Sequence, residues 1–225
     1  MGFIYKVFSI VSKDIVTELR GKEIVPSILF FGLLITIIFN FSFNIGINRS
    51  NDVWAGMLWV AFIFSGTLGL NRSFSIEKEK DSLYGLMLSP IDRGGIYIGK
   101  LICNIIFMII MEIVIIPIFS ILFNLRILNI LPELSIIILL GTIGFLSVGT
   151  LFAAMAVNMR TREIMLPIIL FPIILPIIIA AVKSTSEVMN GEKLSSVFLW
   201  LKLMVTFDII FIGVSFLLFE YVIEE

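Results

Sequence analysis

The chain has 225 residues, of which 59% are hydrophobic and 15% are charged, and its net charge is −1. Soluble domains are roughly 45–50% apolar and about 25% charged, so a water-soluble fold of this size could not bury so much apolar surface. The charge excludes a chain-wide basic surface for nucleic acid. The lack of histidine removes the commonest metal ligand, and a single cysteine, Cys103, excludes disulfide scaffolds and thiolate metal clusters.

Residues 1–24 are predicted to form an amphipathic helix that lies in the membrane interface. Apolar side chains recur every four residues at Phe3, Val7, Val11, Ile15 and Leu19. Polar residues occupy the other faces, as is typical of an interfacial helix. A frayed tail is the alternative. Because the segment has neither a compact apolar core nor a small-residue cleavage site, we do not expect a signal peptide.

Six apolar runs with few charges follow, each long enough to cross a bilayer as a helix. They predict spans at approximately 25–46, 53–71, 98–123, 133–158, 164–183 and 201–220. The runs are continuous rather than alternating, which favours helices over the strands of a barrel. The predicted fold class is therefore all-α integral membrane, with one transmembrane domain over residues 1–225.

The distribution of lysine and arginine predicts the orientation of these spans, because cytoplasmic loops are enriched in both. Eleven of the sixteen fall on one side: Lys6, Lys13, Arg20, Lys22, Arg72, Lys78, Lys80, Arg93, Lys100, Arg160 and Arg162. The other five are Arg49, Arg126, Lys183, Lys193 and Lys202. Both termini are therefore expected in the cytoplasm.

The loop 72–97, between the second and third spans, is the one loop on the predicted cytoplasmic side with a pattern of its own. Leu83, Leu86 and Met87 stand at i, i+3 and i+4, and Pro90 would end such a helix. A solvated loop is the alternative. An apolar ridge on a short cytoplasmic helix is better explained as a docking surface for a soluble partner.

Three stretches of the sequence carry a family resemblance. They are Leu58-Trp59-Val60-Ala61-Phe62, then Arg72-x-Phe74-x-x-Glu77, and then Ser82-Leu83-x-x-Leu86-Met87-Leu88-Ser89-Pro90. With the length and the six spans, they make the chain resemble the CcmB family, the B subunit of the haem exporter used in cytochrome c maturation. Asn71, Asp81 and Tyr84 depart from the family pattern.

The resemblance implies the membrane subunit of an ABC transporter in the inner (cytoplasmic) membrane. Residues 77–90 match the coupling helix of such subunits, which implies ATPase docking through Glu77, Asp81, Ser82, Leu83, Leu86, Met87 and Pro90. The implied partners are a CcmA-like ATPase, CcmC-like and CcmD-like membrane subunits and a possible second copy of the chain. The chain has no Gly-Lys-Ser/Thr phosphate loop, so we expect ATP hydrolysis in a separate subunit rather than an enzyme here.

Haem is implied as cargo rather than as a resident cofactor, since without histidine the chain offers only weaker haem ligands. An exporter of the same architecture for a lipid-linked glycan or a drug is the alternative. A polytopic membrane enzyme or an ion-coupled carrier is a third possibility, for which Glu112 is the only support.

Three polar residues inside the spans are candidates for a functional role. A carboxylate at the position of Glu112 costs about 2.5–3.5 kcal/mol or more, and Asn104 lies on the same helix face. An interhelical hydrogen bond that fixes packing is an equally good interpretation. Asp208 is expected to be hydrated near the outer end of the sixth span.

Glycine and proline mark the fourth and fifth spans. Gly149 and Ala153 have the spacing that lets helices approach closely. Pro167, Pro172 and Pro176 predict a fifth span that is kinked or broken into two pieces. The stretch from Ser184 to Val197 is expected to form the longest outer loop.

Overall fold

The computed structural model describes residues 2–42, 51–79, 92–125, 127–157 and 162–224. Within these ranges the chain is helical, without a strand. The α-helices are α1 (Phe3–Gly21), α2 (Ile24–Ser42), α3 (Asn51–Glu79), α4 (Arg93–Leu122), α5 (Leu131–Ala156), α6 (Arg162–Met189) and α7 (Phe198–Glu224), and a 3₁₀ helix occupies Ile127–Ile130.

Helices α2 to α7 are each long and apolar enough to cross a membrane. This confirms the all-α class and the six predicted spans. Most of α3 and α5 is buried inside the bundle, whereas α2 and α7 lie largely at its periphery. The protein is therefore a multi-pass membrane protein built around two central helices.

The predicted loop 72–97 is shorter in the structure, because helix extends into it from both sides. α3 continues to Glu79 and α4 begins at Arg93. Phe74 and Ile76 are buried, so the last two turns of α3 have a packed face like the rest of the helix. Six of the seven predicted docking positions, Asp81 to Pro90, lie outside the described residues.

The expected outer loop from Ser184 is also shorter, since α6 continues to Met189. The side chains of Ser184, Thr185 and Ser186 are buried in this helix. The Trp59 indole N–H of α3 donates to the Thr185 hydroxyl at 3.0 Å, which gives a polar residue a partner in the interior. The turn begins only at Asn190, where Gly191 has a φ of 88° that favours glycine.

Helix α6 is one uninterrupted helix that contains Pro167, Pro172 and Pro176. The predicted break into two pieces is therefore not found. A proline ring costs a helix one hydrogen bond but does not force it to end when neighbouring helices hold it. A bend at these residues stays a prediction.

Glycines of α5 allow its neighbours to approach closely. A Cβ at Gly141 would lie 2.1 Å from the ring of Trp59, one at Gly144 would lie 1.9 Å from Ile177, and one at Gly149 would lie 2.4 Å from Leu70. Real side-chain atoms do not approach so closely, so no other residue fits without displacement. The contact at Gly149, with Ala153 buried one turn later, supports the packing role inferred from their spacing.

Both ends of the chain lie at one end of the bundle, called here the termini-bearing end. The Arg93 guanidinium, at the start of α4, donates to the Glu220 carbonyl near the end of α7. α1 packs along the same first turns of α4, where Ile10 lies against Gly99 and the Cys103 thiol donates to the Val11 carbonyl at 3.6 Å. The predicted N-terminal helix therefore exists, while its place in the membrane interface stays a prediction.

Replacing Gly141 with alanine is expected to destabilise the protein by about 1–3 kcal/mol, because the new methyl group would overlap the Trp59 ring. Gly56→Ala is the matched control, since nothing lies within 4 Å of a Cβ at that helical position. It should be neutral or stabilise by up to about 1 kcal/mol. The free energy of unfolding of the detergent-purified variants measures both. If Gly141→Ala and Gly56→Ala have equal free energies of unfolding, the close approach of the Trp59 ring to Gly141 is contradicted.

Candidate functional site

Four charged side chains from three helices form a cluster at the termini-bearing end, called here the ion cluster: Lys13 and Asp14 of α1, Glu77 of α3 and Lys100 of α4. The Lys100 ammonium lies 2.7 Å from the Asp14 carboxylate and 2.6 Å from that of Glu77. The Lys13 ammonium lies 2.6 Å from Glu77 and 3.0 Å from Asp14. Two cations thus share two carboxylates, and the charges of the cluster balance.

Lys100 is the buried member of the cluster, with 1% of the residue exposed, and Glu77 is only 5% exposed. An unpaired charge at either position would cost several kcal/mol, so each needs the other. The Lys100 ammonium also lies 5.7 Å from the centre of the Phe74 ring, a cation–π distance. The burial of Lys100 is therefore compensated from α1 and α3 together.

Lys13 lies at the solvent-facing side of the cluster. Burial by itself would lower the pKa of Lys13, but the carboxylates of Glu77 and Asp14 outweigh it and raise the pKa above its ordinary value. A raised lysine pKa stabilises the folded state fully below the unfolded-state value and loses that effect only as the pH rises through the folded-state value. The contribution of Lys13 is therefore complete at neutral pH.

Further polar contacts tie the same end together. The Glu18 carboxylate accepts the backbone N–H groups of Ile24 at 3.0 Å and Val25 at 2.8 Å, and so caps the start of α2. The Arg72 guanidinium of α3 pairs with Glu23 just before α2. The Lys78 ammonium donates to the Val157 carbonyl at 2.8 Å and holds the last turn of α3 against the end of α5.

Glu77 is the one predicted docking residue that the structure describes. It lies inside the ion cluster rather than on the surface, so its carboxylate is engaged within this chain and not offered to a soluble partner. The physical reason is that α3 continues as a helix to Glu79, and the pitch turns position 77 towards α1 and α4. Glu77 therefore joins the end of α3 to α1 and α4.

The sequence interpretation did not identify Lys13, Asp14 and Lys100 as members of a site. Lys13 and Lys100 entered it only as charges that indicate orientation, and Asp14 was not used. A signal was present in part, because Lys100 directly precedes an apolar run and thus lies at its end. The ion pairs that join different helices are between residues 23, 64 and 86 positions apart, which a single sequence does not reveal.

A second set of polar residues joins α4 to α5 inside the membrane region. The Tyr97 hydroxyl donates to the Ser147 carbonyl at 3.0 Å, the Asn104 amide donates to the Thr150 hydroxyl at 3.2 Å, and the Thr142 hydroxyl donates to the Glu112 carboxyl group. Asn104 and Glu112 are both buried, as their shared helix face predicted. These bonds support the packing interpretation of both residues.

Asp208 is buried in the structure, whereas the sequence interpretation expected it to be hydrated near the outer end of its span. The residue is 6% exposed, and its Oδ1 lies 2.4 Å from where a Cβ at Gly144 would stand. Because Gly144 has no side chain, α5 leaves a niche that this carboxyl group occupies. Among the described residues, Oδ1 has no hydrogen-bond partner. The structure therefore places Asp208 against α5, as it places Glu112, and does not bring the two acids into contact.

Replacing Lys100 with methionine should destabilise the protein by about 3–5 kcal/mol, because the Glu77 and Asp14 carboxylates would face each other in a buried site with only Lys13 between them. In the double variant Glu77→Gln/Lys100→Met, the loss should be smaller than the sum of the two single losses. Titration of the purified variants with SDS measures the free energies of unfolding.

The matched control is Lys183→Met, which removes an exposed ion pair with Asp52 at 3.5 Å. That loss should stay below about 1 kcal/mol. If the losses from Glu77→Gln and Lys100→Met simply add, the two residues are not coupled and the ion cluster is not a unit.

The chain is similar to proteins named heme exporter protein B, with 23% identity to that of Pseudomonas aeruginosa over 81% of both chains. Identity to the protein of Rhodobacter capsulatus is 25% over 76% of this chain and 78% of the relative. Identity to that of Haemophilus influenzae is 27% over 72% of each. The profile of the family described as CcmB protein matches residues 5–221, from α1 into the last turn of α7, and the chain therefore belongs to the CcmB family.

Proposed function

We propose that this chain is the membrane-spanning permease subunit of an ABC transporter that exports haem for cytochrome c biogenesis. The observation that carries the proposal is the family match over residues 5–221, which includes the whole 77–90 segment. The names of the three relatives, heme exporter protein B, are the reason for proposing haem as the cargo. The six apolar helices agree with a membrane-spanning subunit, and the family match and the name of the Pseudomonas aeruginosa relative support a transport component.

The termini-bearing end is proposed to face the cytoplasm, in the inner membrane. The excess of lysine and arginine supports this orientation, since eleven of the sixteen belong to this side. A separate, CcmA-like ATPase would dock there on Leu83, Leu86 and Met87. CcmC-like and CcmD-like membrane subunits, and a second copy of this chain, would complete the assembly.

The ion cluster suggests how motion of an ATPase would reach the membrane. A force on the segment after Glu79 acts first on the last turns of α3. Glu77 bonds there to Lys13 of α1 and Lys100 of α4, so three helices would move together rather than α3 alone. The hydrogen bonds between α4 and α5 would then carry the displacement into the centre of the bundle.

The double variant Leu86→Asp/Met87→Asp is expected to abolish co-purification of the ATPase subunit, because two charges would replace the apolar ridge that docks. The protein should still insert, since these residues lie outside the spans. The measurement is the amount of ATPase recovered with the tagged chain from detergent-solubilised membranes, together with the yield of cytochrome c in cells that depend on the variant.

Two controls accompany this experiment. Leu86→Ile/Met87→Leu keeps the ridge apolar and should retain the ATPase, while Ser195→Asp adds a charge at an exposed position at the opposite end of the bundle and should also retain it. Undiminished recovery of the ATPase with the aspartate variant would refute docking at this segment. Normal cytochrome c yield in cells without the chain would instead refute haem as the cargo and favour the same architecture with another substrate.

A further inference from the structure

A pocket on the flank of the bundle, between α4 and α5, has a carboxyl group in its wall. The pocket measures about 300 Å³ and is lined mainly by aliphatic side chains: Ile109, Ile113, Ile116, Leu134, Ile138 and Leu139. Glu112 is the acid that lines it. We call this surface the Glu112 pocket. An apolar hollow that contains one carboxyl group requires a physical explanation, because an acid at this depth is costly.

Glu112 is only partly satisfied by its own chain. The Thr142 hydroxyl donates to Oε1, and this is the one hydrogen bond that the described residues give to the side chain. A carboxyl group has about four acceptor positions, or one donor and the remaining acceptors when protonated. The group is 3% exposed, so water reaches it poorly. It therefore retains capacity for a donor that enters the pocket.

The side chains around the acid face outwards from the bundle. Ile113, the next residue along α4, is 65% exposed, and Ile136 and Leu139 on α5 are each 44% exposed. The pocket is therefore open on the flank, where a lipid or another protein would contact it. Besides Glu112, the pocket is lined by the Ser135 hydroxyl, which already donates to the Pro132 carbonyl at 2.8 Å. The apolar walls and the carboxyl group suit an occupant that is mostly apolar and carries one hydrogen-bond donor or positive charge.

The depth of Glu112 in the membrane distinguishes between a lipid and another protein as the occupant of the pocket. Glu112 lies ten positions before Leu122, the end of α4, which is about 15 Å along the axis. The polar part of a phospholipid stays at the surface of a hydrocarbon core of about 30 Å, so a lipid would bring only acyl chain to this level. A transmembrane helix, by contrast, can carry a polar side chain at any depth.

Among the described residues, a second copy of this chain supplies no exposed hydroxyl at this depth that lacks a partner of its own, and its exposed lysine on α7, Lys202, lies one turn nearer the end of the helix. Among the described residues of the spans, Thr206 of α7 is an exposed hydroxyl at a comparable depth, eight residues from the start of its helix. Its hydroxyl already donates to the Lys202 carbonyl at 2.8 Å. We infer that the Glu112 pocket is the docking site for a transmembrane helix of a different polypeptide, whose hydroxyl, amide or basic side chain hydrogen-bonds to Glu112.

Site-specific photo-crosslinking in intact membranes tests this inference. A benzophenone side chain is placed at position 113 or 139, in cells that make the chain with its native companion proteins. Both positions should give a covalent adduct with an integral membrane protein other than this chain, and mass spectrometry should locate the crosslink in a transmembrane segment that contains a donor residue. The same probe at position 209, an isoleucine 69% exposed on α7, is the control and should not give that adduct.

The role of the acid is tested by adding Glu112→Leu to the crosslinking variants. Loss of one interhelical hydrogen bond should lower the adduct yield about 3- to 30-fold. Glu112→Gln retains an acceptor for Thr142 and for a neutral donor, so it should lower the yield less, and it serves as the variant to measure if the leucine variant fails to accumulate.

Several results would overturn the inference. They are the absence of a protein adduct at 113 and 139, an adduct with lipid or with another copy of this chain only, the same adduct at 209, and a yield that neither Glu112 variant changes. The experiment does not depend on the proposed function. Loss of the ATPase with the Leu86 and Met87 variant, or another cargo, would leave the adduct in place.

Discussion

The burial of Lys100 is the constraint on which the termini-bearing end depends. A lysine ammonium that is almost wholly removed from water is tolerated only with carboxylates in direct contact, and here they come from two other helices. Asp14 can reach it only if α1 lies along α4, and Glu77 only if α3 remains helical past the apolar run. The position of the N-terminal helix and the length of α3 are thus linked to one charge.

This arrangement joins the middle of α1, the end of α3 and the first turns of α4 into one mechanical unit. Packing supports it, since Gly99 of α4 receives Ile10 of α1, and the Glu18 cap joins the end of α1 to the start of α2. The segment that follows Glu79 therefore leaves from a point that is fixed to α1, α3 and α4. A partner that moves this segment would act on the bundle rather than on a loose loop.

The interior of the bundle is organised around α5 by two different means. Its glycines admit Trp59, Ile177 and Leu70 to close contact, which gives dense packing in a solvent where hydrophobic burial between helices contributes little. Its hydroxyl groups instead meet polar residues of α4, among them Asn104 and Glu112. Glu112 has contacts in two directions. One side of its carboxyl group is bonded to α5, and the residue also lines the pocket on the flank of the bundle.

The sequence by itself determined the helical class, the six spans and the resemblance to the CcmB family, because apolar runs of this length have one economical solution in a bilayer. The shared face of Asn104 and Glu112 was also predictable, since it follows from the period of one helix. Contacts between distant residues were not predictable. The structure therefore differs from the sequence interpretation in placing Glu77 inside the ion cluster and in the greater length of α3 and α6. Asp208 shows the reason most clearly. Its position along α7 indicated a hydrated acid, and only the tertiary structure places its carboxyl group in the space that Gly144, on another helix, leaves without a side chain.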